Sequence, residues 1–166
     1  MKKNSEMSRI VELRELTSKP KKIEWKATKE ECIALAERLN ILSVDDLDAS
    51  VTIQKNDLIQ VSGSFTAHVK QACVVSGEAV KQTVKDSFKE FFCQCKRHES
   101  PIDIDMDAPD VEVVEDGRID VGELVVEYLI LGLDPFPRKA GIPLVKAGDL
   151  EEKENPFAVL KNWKKN

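Results

Sequence analysis

The sequence lacks the minimum parts of several enzyme classes. It contains only two histidines, His68 and His98, and no His-Glu-x-x-His motif of the kind that binds zinc in metalloproteases. It also has no Gly-x-Ser-x-Gly elbow for a nucleophilic serine and no glycine-rich loop that could hold a phosphate. These absences argue against a hydrolase, a protease or a nucleotide-dependent enzyme. We therefore expect no catalytic residue, no cofactor and no small-molecule substrate.

Long apolar segments are missing as well. No run of about 18 or more apolar residues occurs, and no charged-then-apolar leader is present. We therefore expect a cytoplasmic protein that makes no membrane contact. The formal net charge of -5 argues against a general nucleic-acid-binding surface, because phosphate affinity comes largely from clustered Lys and Arg. Positive charge is concentrated in residues 1–26 and at the last few residues. The favoured interpretation is that these lysines solvate flexible termini and surface strands, and any RNA contact is expected there.

The four cysteines do not form a recognisable zinc motif. Cys93 and Cys95 are separated by one residue, whereas zinc sites usually use pairs separated by about two to four residues. Cys32 and Cys73 stand alone, and we expect them to be small apolar core residues in a reduced cytosol. A zinc-binding module built on Cys93, Cys95 and His98 is the less favoured alternative, since it needs a fourth ligand from elsewhere.

An acidic segment begins at Asp103. Asp103, Asp105 and Asp107 alternate with other residues like the start of a calcium-binding loop. Ala108, however, stands where that loop needs glycine, and Val114 stands where it needs glutamate. We expect an exposed acidic loop that could meet a basic protein, with the site of a metal-dependent RNA-processing enzyme as the alternative.

Hydrophobic periodicity predicts one helix before a strand-rich region. Thr28 and Glu31 form a capping-box signature, and the apolar residues that follow recur at helical spacing over residues 28–39. From Leu47 the period changes to two, which predicts two strands joined by a turn at residues 55–57. Gly63, in the second strand, is predicted to mark a bulge.

Two later segments are read from their local chemistry. Residues 78–92 are ambiguous, because apolar residues spaced by four fit either one face of a helix or one face of a long strand. A second helix is predicted to begin at Asp120, which can cap it, with Glu123 three residues later as in a capping box. Gly132 is predicted to adopt the left-handed conformation just past its end, and the prolines that follow prevent the helix from resuming.

Three blocks of the sequence stand in a family-specific order. They are Cys73-Val-Val-Ser-Gly-Glu-Ala-Val80, then Arg118-Ile-Asp-Val-Gly-Glu-Leu-Val125 with its exit Leu133-Asp-Pro-Phe-Pro-Arg-Lys139, and finally Asn155-Pro-Phe-Ala-Val-Leu160. Together they resemble the bacterial YceD family of large ribosomal RNA subunit accumulation proteins, and its alphaproteobacterial branch most closely. The resemblance implies an α+β fold, in which two or three short helices pack on an antiparallel, barrel-like β-sheet. It also favours a strand over residues 78–92.

The resemblance implies a function in ribosome biogenesis. A member would be a cytosolic, non-catalytic factor that supports synthesis, processing or accumulation of large-subunit (23S) ribosomal RNA, with a ribosome-assembly protein or ribosomal RNA as its partner. Many members carry further cysteines near the first block and near the proline-containing exit, which would suit a metal. Here the matching positions hold Ser76, Gly77 and Arg138-Lys-Ala140, so we expect no metal site.

These patterns predict three parts of the chain. Residues 1–26 form a basic N-terminal arm with a strand near residues 22–26, and residues 27–154 form a single α+β domain. Residues 155–166 form a short C-terminal helix or tail, since Asn155 followed by Pro156 is typical of a helix start.

A partner-binding site is predicted at the two ends of the second helix. Phe136 lies between two prolines, and a rigid aromatic residue beside an arginine is typical of a binding hot spot. The alternative is that Asp120 and Glu123 only cap the helix while Phe136 closes the core. The predicted site residues are Arg118, Asp120, Glu123, Phe136, Arg138 and Lys139.

Overall fold

A computed structural model describes residues 6–94, 110–114 and 116–141 of the chain. In chain order the elements are β1 (Ile10–Glu12), a 3-10 turn (Leu13–Glu15), β2 (Lys21–Lys26), α1 (Lys29–Leu39), β3 (Ser43–Lys55), β4 (Ile59–Ala72), β5 (Ala79–Cys93), β6 (Val111–Val113), β7 (Arg118–Asp120) and α2 (Val121–Gly132). The predicted C-terminal helix, the aspartates at 103–107, Cys95 and His98 lie outside the described residues.

The strands form one large and one small sheet, as expected for an α+β protein. The large sheet has five strands in the order β2-β3-β4-β5-β6, antiparallel except for the parallel pair β5-β6. The small sheet pairs β1 with β7. The large sheet is not closed into a barrel, because β2 and β6 are its two edges and do not pair with each other. The barrel-like part of the prediction is therefore not confirmed.

The predicted local elements are largely confirmed. Thr28 Oγ1 accepts a hydrogen bond from Glu31 N at 3.2 Å, and Thr28 N donates to Glu31 Oε2 at 2.8 Å, so α1 begins with a complete capping box. The ambiguous segment 78–92 forms the strand β5. Residues four apart in a strand lie on the same face, which is why helical spacing and strand spacing could not be separated there.

The core lies between one face of the large sheet and the helices. Alternate residues of β3 and β4 are buried on this inner face, as predicted from the period of two. Helix α1 packs against β3, and α2 packs across β4 and β5. Within the described part of the chain, neither helix is long and apolar enough to cross a membrane.

The predictions for Gly63 and Gly132 are wrong. Both positions require glycine because of close contacts with other side chains and not because of backbone conformation. Gly63 pairs in continuous register with Val51 and Phe88, without a bulge, and a Cβ atom there would lie 2.5 Å from Phe88 Cζ. Gly132 is the last residue of α2 and does not have a positive φ. A Cβ atom at Gly132 would lie 2.5 Å from Val84 Cγ1, so this glycine lets the end of α2 approach β5.

The N-terminal arm passes directly over the start of α2. Met7 is fully buried, and β1 pairs with β7, the strand that leads into the helix. A Cβ atom at Gly122 would lie only 1.9 Å from the carbonyl oxygen of Met7. The arm can therefore take this path only because residue 122 has no side chain, and the core includes residues from before and after the central strands.

We expect Gly122→Ala to destabilise the protein by about 3 kcal/mol or more, because the new methyl group meets backbone that cannot move aside cheaply. Urea unfolding followed by circular dichroism measures this change. The matched control is Gly77→Ala, where φ is +73° and no atom lies within 4 Å. Only the strain of a left-handed alanine applies there, about 1 kcal/mol. Equal unfolding midpoints for the two variants would contradict the close approach.

Candidate partner-binding site

The six predicted site residues lie in two separate places, one at each end of α2. Arg118, Asp120 and Glu123 lie at its N-terminal end. Phe136, Arg138 and Lys139 follow its C-terminal end. The two groups therefore have different surroundings.

The Asp120 carboxylate joins the N-terminal arm to α2. It accepts four hydrogen bonds, from Ser8 Oγ at 2.6 Å, Arg9 N at 2.7 Å, Gly122 N at 3.1 Å and Glu123 N at 3.2 Å. The last two cap the helix as predicted, where a negative charge is also favoured by the helix dipole. Asp120 is thus committed to interactions inside the protein.

The other two residues at this end also pair within the chain. Arg38 of α1 binds the Glu123 carboxylate with both terminal nitrogens and contacts Glu6 at 2.9 Å. The hydrogen bond to Glu123, with a further contribution from Glu6, raises the pKa of the Arg38 guanidinium above its ordinary value. Arg118 is exposed, and its Nη2 atom lies 3.5 Å from Glu12 Oε1.

At the other end of α2, two loops meet. The cysteine loop comprises Cys73–Glu78, and the proline loop comprises Asp134–Lys139. Val74 N donates to the Pro137 carbonyl at 2.9 Å, and Lys139 N donates to Cys73 Sγ at 3.4 Å. Lys139 Nζ contacts Glu78 Oε1 at 2.8 Å. Blocks of sequence that are about 60 residues apart thus form one surface.

This surface exposes apolar side chains beside a cation. Phe136 is 69% exposed, and Val74 and Val75 are about half exposed at 51% and 49%. Phe136 therefore does not close the core, and Pro137 is the buried residue of that loop. Arg138 is exposed next to it. We call Val74, Val75, Phe136 and Arg138 the loop patch.

Two glutamines, the buried Gln71 and the half-buried Gln82, hold the proline loop in place. Gln71 Nε2 donates to the Asp134 carbonyl at 2.9 Å. Gln82 Nε2 donates to the Gly132 carbonyl at 3.0 Å, and Gln82 Oε1 accepts from Asp134 N at 3.2 Å. Sequence reasoning missed both residues. The sequence did indicate them, because each is a polar residue at an inward-facing position of a strand. Such a residue needs a hydrogen-bond partner when it is buried.

Cys73 links the two loops as a hydrogen-bond acceptor. Its residue is buried as expected, at 3% exposed. The pKa of its thiol is lowered to about 6, first by the Ser76 hydroxyl, which also lies 3.3 Å from Glu78 Oε2, and then by the backbone N–H groups of Lys139, Ser76 and Val75. A thiolate is therefore the favoured form at neutral pH.

The residues around Cys73 do not fit a metal ion. Ser76 and Lys139 direct donors at its sulfur, whereas a metal would need further deprotonated ligands there. The described residues contain no group of three or more His, Cys, Asp or Glu side chains placed to hold a metal ion.

Comparison with known proteins gives one match. A family model described as "Large ribosomal RNA subunit accumulation protein YceD" matches residues 61–164, more than half of the chain. The matched range includes the cysteine loop, α2 and the proline loop. No curated protein and no solved structure gives a significant match.

When the pH of the folded protein is varied and the ultraviolet absorbance of thiolate is followed, we expect one cysteine to titrate with a pKa of about 6. Cys73→Ser should remove this titration. Cys32→Ser should not, since burial raises the pKa of Cys32. Because the unfolded thiol has its ordinary pKa near 9, the stabilising contribution of the thiolate is fully present above pH 9 and is lost as the pH falls through about 6. A Cys73 midpoint at about 8.5 would contradict this.

Proposed function

The chain belongs to the YceD family of large ribosomal RNA subunit accumulation proteins, and we propose that it supports synthesis, processing or accumulation of large-subunit (23S) ribosomal RNA in the cytoplasm. In this proposal it acts by binding a partner and not by catalysis. The single observation that carries the proposal is the family match over more than half of the chain.

The loop patch is the contact surface that we propose for a ribosome-assembly protein. It combines an exposed aromatic ring with a guanidinium, and both residue types are enriched in binding hot spots. The prolines on either side of Phe136, together with the hydrogen bond from Phe136 N to Asp134 Oδ1 at 2.9 Å, hold the loop in one conformation. A preorganised loop loses little conformational entropy on binding, which favours affinity.

The N-terminal end of α2 is less suited to the same role. Asp120 accepts four hydrogen bonds from within the chain, and Glu123 is bound by Arg38. A partner would have to displace these contacts before it could use either carboxylate, which costs free energy. We therefore assign partner binding to Phe136, Arg138 and Lys139 in preference to Arg118, Asp120 and Glu123.

Depletion of the protein in its host tests the proposed function directly. We expect large-subunit ribosomal RNA to fall relative to small-subunit RNA, with precursor species changing accordingly. Quantification of mature and precursor RNA during depletion measures this, and re-expression of the full chain should restore the ratio. An unchanged ratio under complete depletion would contradict the proposed function.

A double charge reversal in the proline loop tests the contact surface. We expect Arg138→Glu with Lys139→Glu to fail in restoring large-subunit RNA, because it places negative charge where the partner meets positive charge. Its unfolding free energy should change by less than about 0.5 kcal/mol, since both side chains are exposed and the ion pair with Glu78 is at the surface.

The matched control for the loop variant is Lys19→Glu with Lys21→Glu. Both lysines are exposed, lie in a different part of the chain and give the same change in net charge. This control should restore the RNA ratio as well as the unmodified chain does. Full restoration by the loop variant would show that the partner binds elsewhere.

A further inference from the structure

Strand β5 separates its charged side chains by face. Its inner face carries Asp86 and Glu90 towards α2, where the Tyr128 hydroxyl donates to Glu90 and the Tyr128 ring stacks on Phe88 with centroids 4.6 Å apart. The pKa of Tyr128 is raised to about 12, first by the hydrogen bond to Glu90, with Asp86 among the further causes. The other face, which we call the outer face, carries Lys81, Thr83, Lys85, Ser87, Lys89 and Phe91.

The neighbouring strand extends this surface without adding a negative charge. In the register of β4 and β5, Lys70 lies opposite Lys81, Thr66 opposite Lys85 and Ser62 opposite Lys89. The outer-face residues of β4 are Gln60, Ser62, Ser64, Thr66, His68 and Lys70. Neither strand therefore presents a carboxylate on its outer face, although the protein as a whole has a net charge of -5.

The carboxylates of β3 near this surface already have side-chain partners within the sheet. Asp45 contacts Lys70 at 2.8 Å, Asp46 contacts His68 at 2.7 Å, and Asp48 contacts Lys26 at 3.2 Å. Among the described residues, no carboxylate lies within 4.0 Å of the amino group of Lys81, Lys85 or Lys89. The charges of these three lysines are therefore not neutralised by a direct ion pair, although the pKa of Asp45, lowered first by the hydrogen bond from Lys70, is lowered further by the nearby charge of Lys81.

An open groove of about 800 Å³ lies across the middle of this sheet. Ser50, Ser64 and Ser87 lie side by side on three adjacent strands and line it. Three carboxylate-bearing residues line it as well, and of these Glu24 contacts Lys22 at 2.6 Å and Asp48 contacts Lys26; the third is Asp86. Thr66 and Lys85 line the groove in the adjacent row. Further along β5, Lys89 Nζ lies 5.0 Å from the centre of the Phe91 ring.

We propose that the outer face of β4 and β5 binds a single strand of ribosomal RNA through its sugar-phosphate backbone. The lysines supply the charge that phosphates need, the serine and threonine hydroxyls can bond phosphate oxygens or ribose hydroxyls, and Phe91 offers a ring for base stacking. This inference rests on the proposed function, since the family description names the accumulation of the large ribosomal RNA subunit.

Protection of a sheet edge explains only part of this surface. Among the residues that the structure describes, no strand pairs with Ala79–Glu90 on the side of β5 away from β4, because β6 pairs only with Phe91–Cys93. Lysines on such an edge oppose edge-to-edge aggregation. That role requires neither the carboxylate-free face of β4 nor the serine-lined groove, whereas RNA binding uses both.

The test measures binding of the full chain to fluorescently labelled single-stranded fragments of large-subunit ribosomal RNA by anisotropy. We expect Lys81→Gln, Lys85→Gln and Lys89→Gln together to weaken binding on the order of tenfold or more at low salt. The slope of log affinity against log salt should fall by about 2, as expected for the loss of three contacts to single-stranded phosphates. The corresponding triple Lys→Arg variant should retain binding.

The matched control replaces Lys19, Lys21 and Lys29 with Gln, which changes the net charge equally at exposed positions away from this face. Lys19 and Lys21 belong to the basic N-terminal arm, where the sequence alone placed any RNA contact, so this control distinguishes the arm from the β5 face. The affinity of this control for RNA should stay within about twofold of the affinity of the unmodified chain. Circular dichroism and unfolding midpoints verify that both triple variants are folded. Unchanged RNA affinity in the β5 variant, or an equal loss in the control, would overturn the inference.

Restoration of the RNA ratio in depleted cells separates this inference from the proposed function. If depletion lowers large-subunit RNA but the unmodified chain binds none of the fragments, the function stands and the RNA surface is wrong. If the β5 variant binds RNA normally yet fails to restore the ratio, the face contacts an acidic protein, which also overturns the inference. Loss of both RNA binding and restoration supports it.

Discussion

The Asp120 carboxylate is the interaction on which the arrangement of this protein depends. It accepts hydrogen bonds from the N-terminal arm and from the first turn of α2 at the same time. Without it, two backbone N–H groups of the helix and one of the arm would be left without this acceptor in a partly buried place, at about 1–3 kcal/mol each. The arm can lie in this path only because Gly122 has no side chain to collide with Met7. The hydrogen bonds to Asp120 and the packing at Gly122 therefore require the same position of the arm.

The position of α2 in turn places the proline loop. The helix lies against β5 at its other end, where Gly132 meets Val84, and Gln82 bonds to the backbone on both sides of the helix terminus. The proline loop leaves from this anchored point and docks on the cysteine loop through Cys73 and Val74. The exposure of Phe136 therefore depends on long-range packing, since the contacts that anchor the loop to the sheet come from β4, β5 and the turn between them.

Local chemistry predicted the elements well but not the reasons for several residues. The capping box at Thr28 and the cap at Asp120 depend on residues at most three positions apart, so they could be read from the chain. Gly63 and Gly132 were given conformational roles, whereas each is required by a side chain far away in sequence. The barrel-like part of the fold prediction is not confirmed for the same kind of reason, because closure of the sheet depends on whether β2 and β6 pair, which local sequence does not determine. The roles of Gln71 and Gln82 likewise required knowledge of the proline loop above them.

The two proposed surfaces are linked by one strand. Lys81 follows Glu78 by three residues, about 10 Å of extended chain, so the lysine row of β5 begins where the cysteine loop ends. The inner face of the same strand holds α2 through Gln82, Val84 and Phe88, and α2 carries the proline loop. A protein held at the loop patch and an RNA strand held along β5 would thus bind to one continuous and densely hydrogen-bonded unit. Because antiparallel pairing with β4 runs along nearly the whole of β5, bending between the two surfaces would break ladder hydrogen bonds. Their relative orientation is therefore set by the fold, and two weak contacts on such a rigid unit can act together more strongly than either alone.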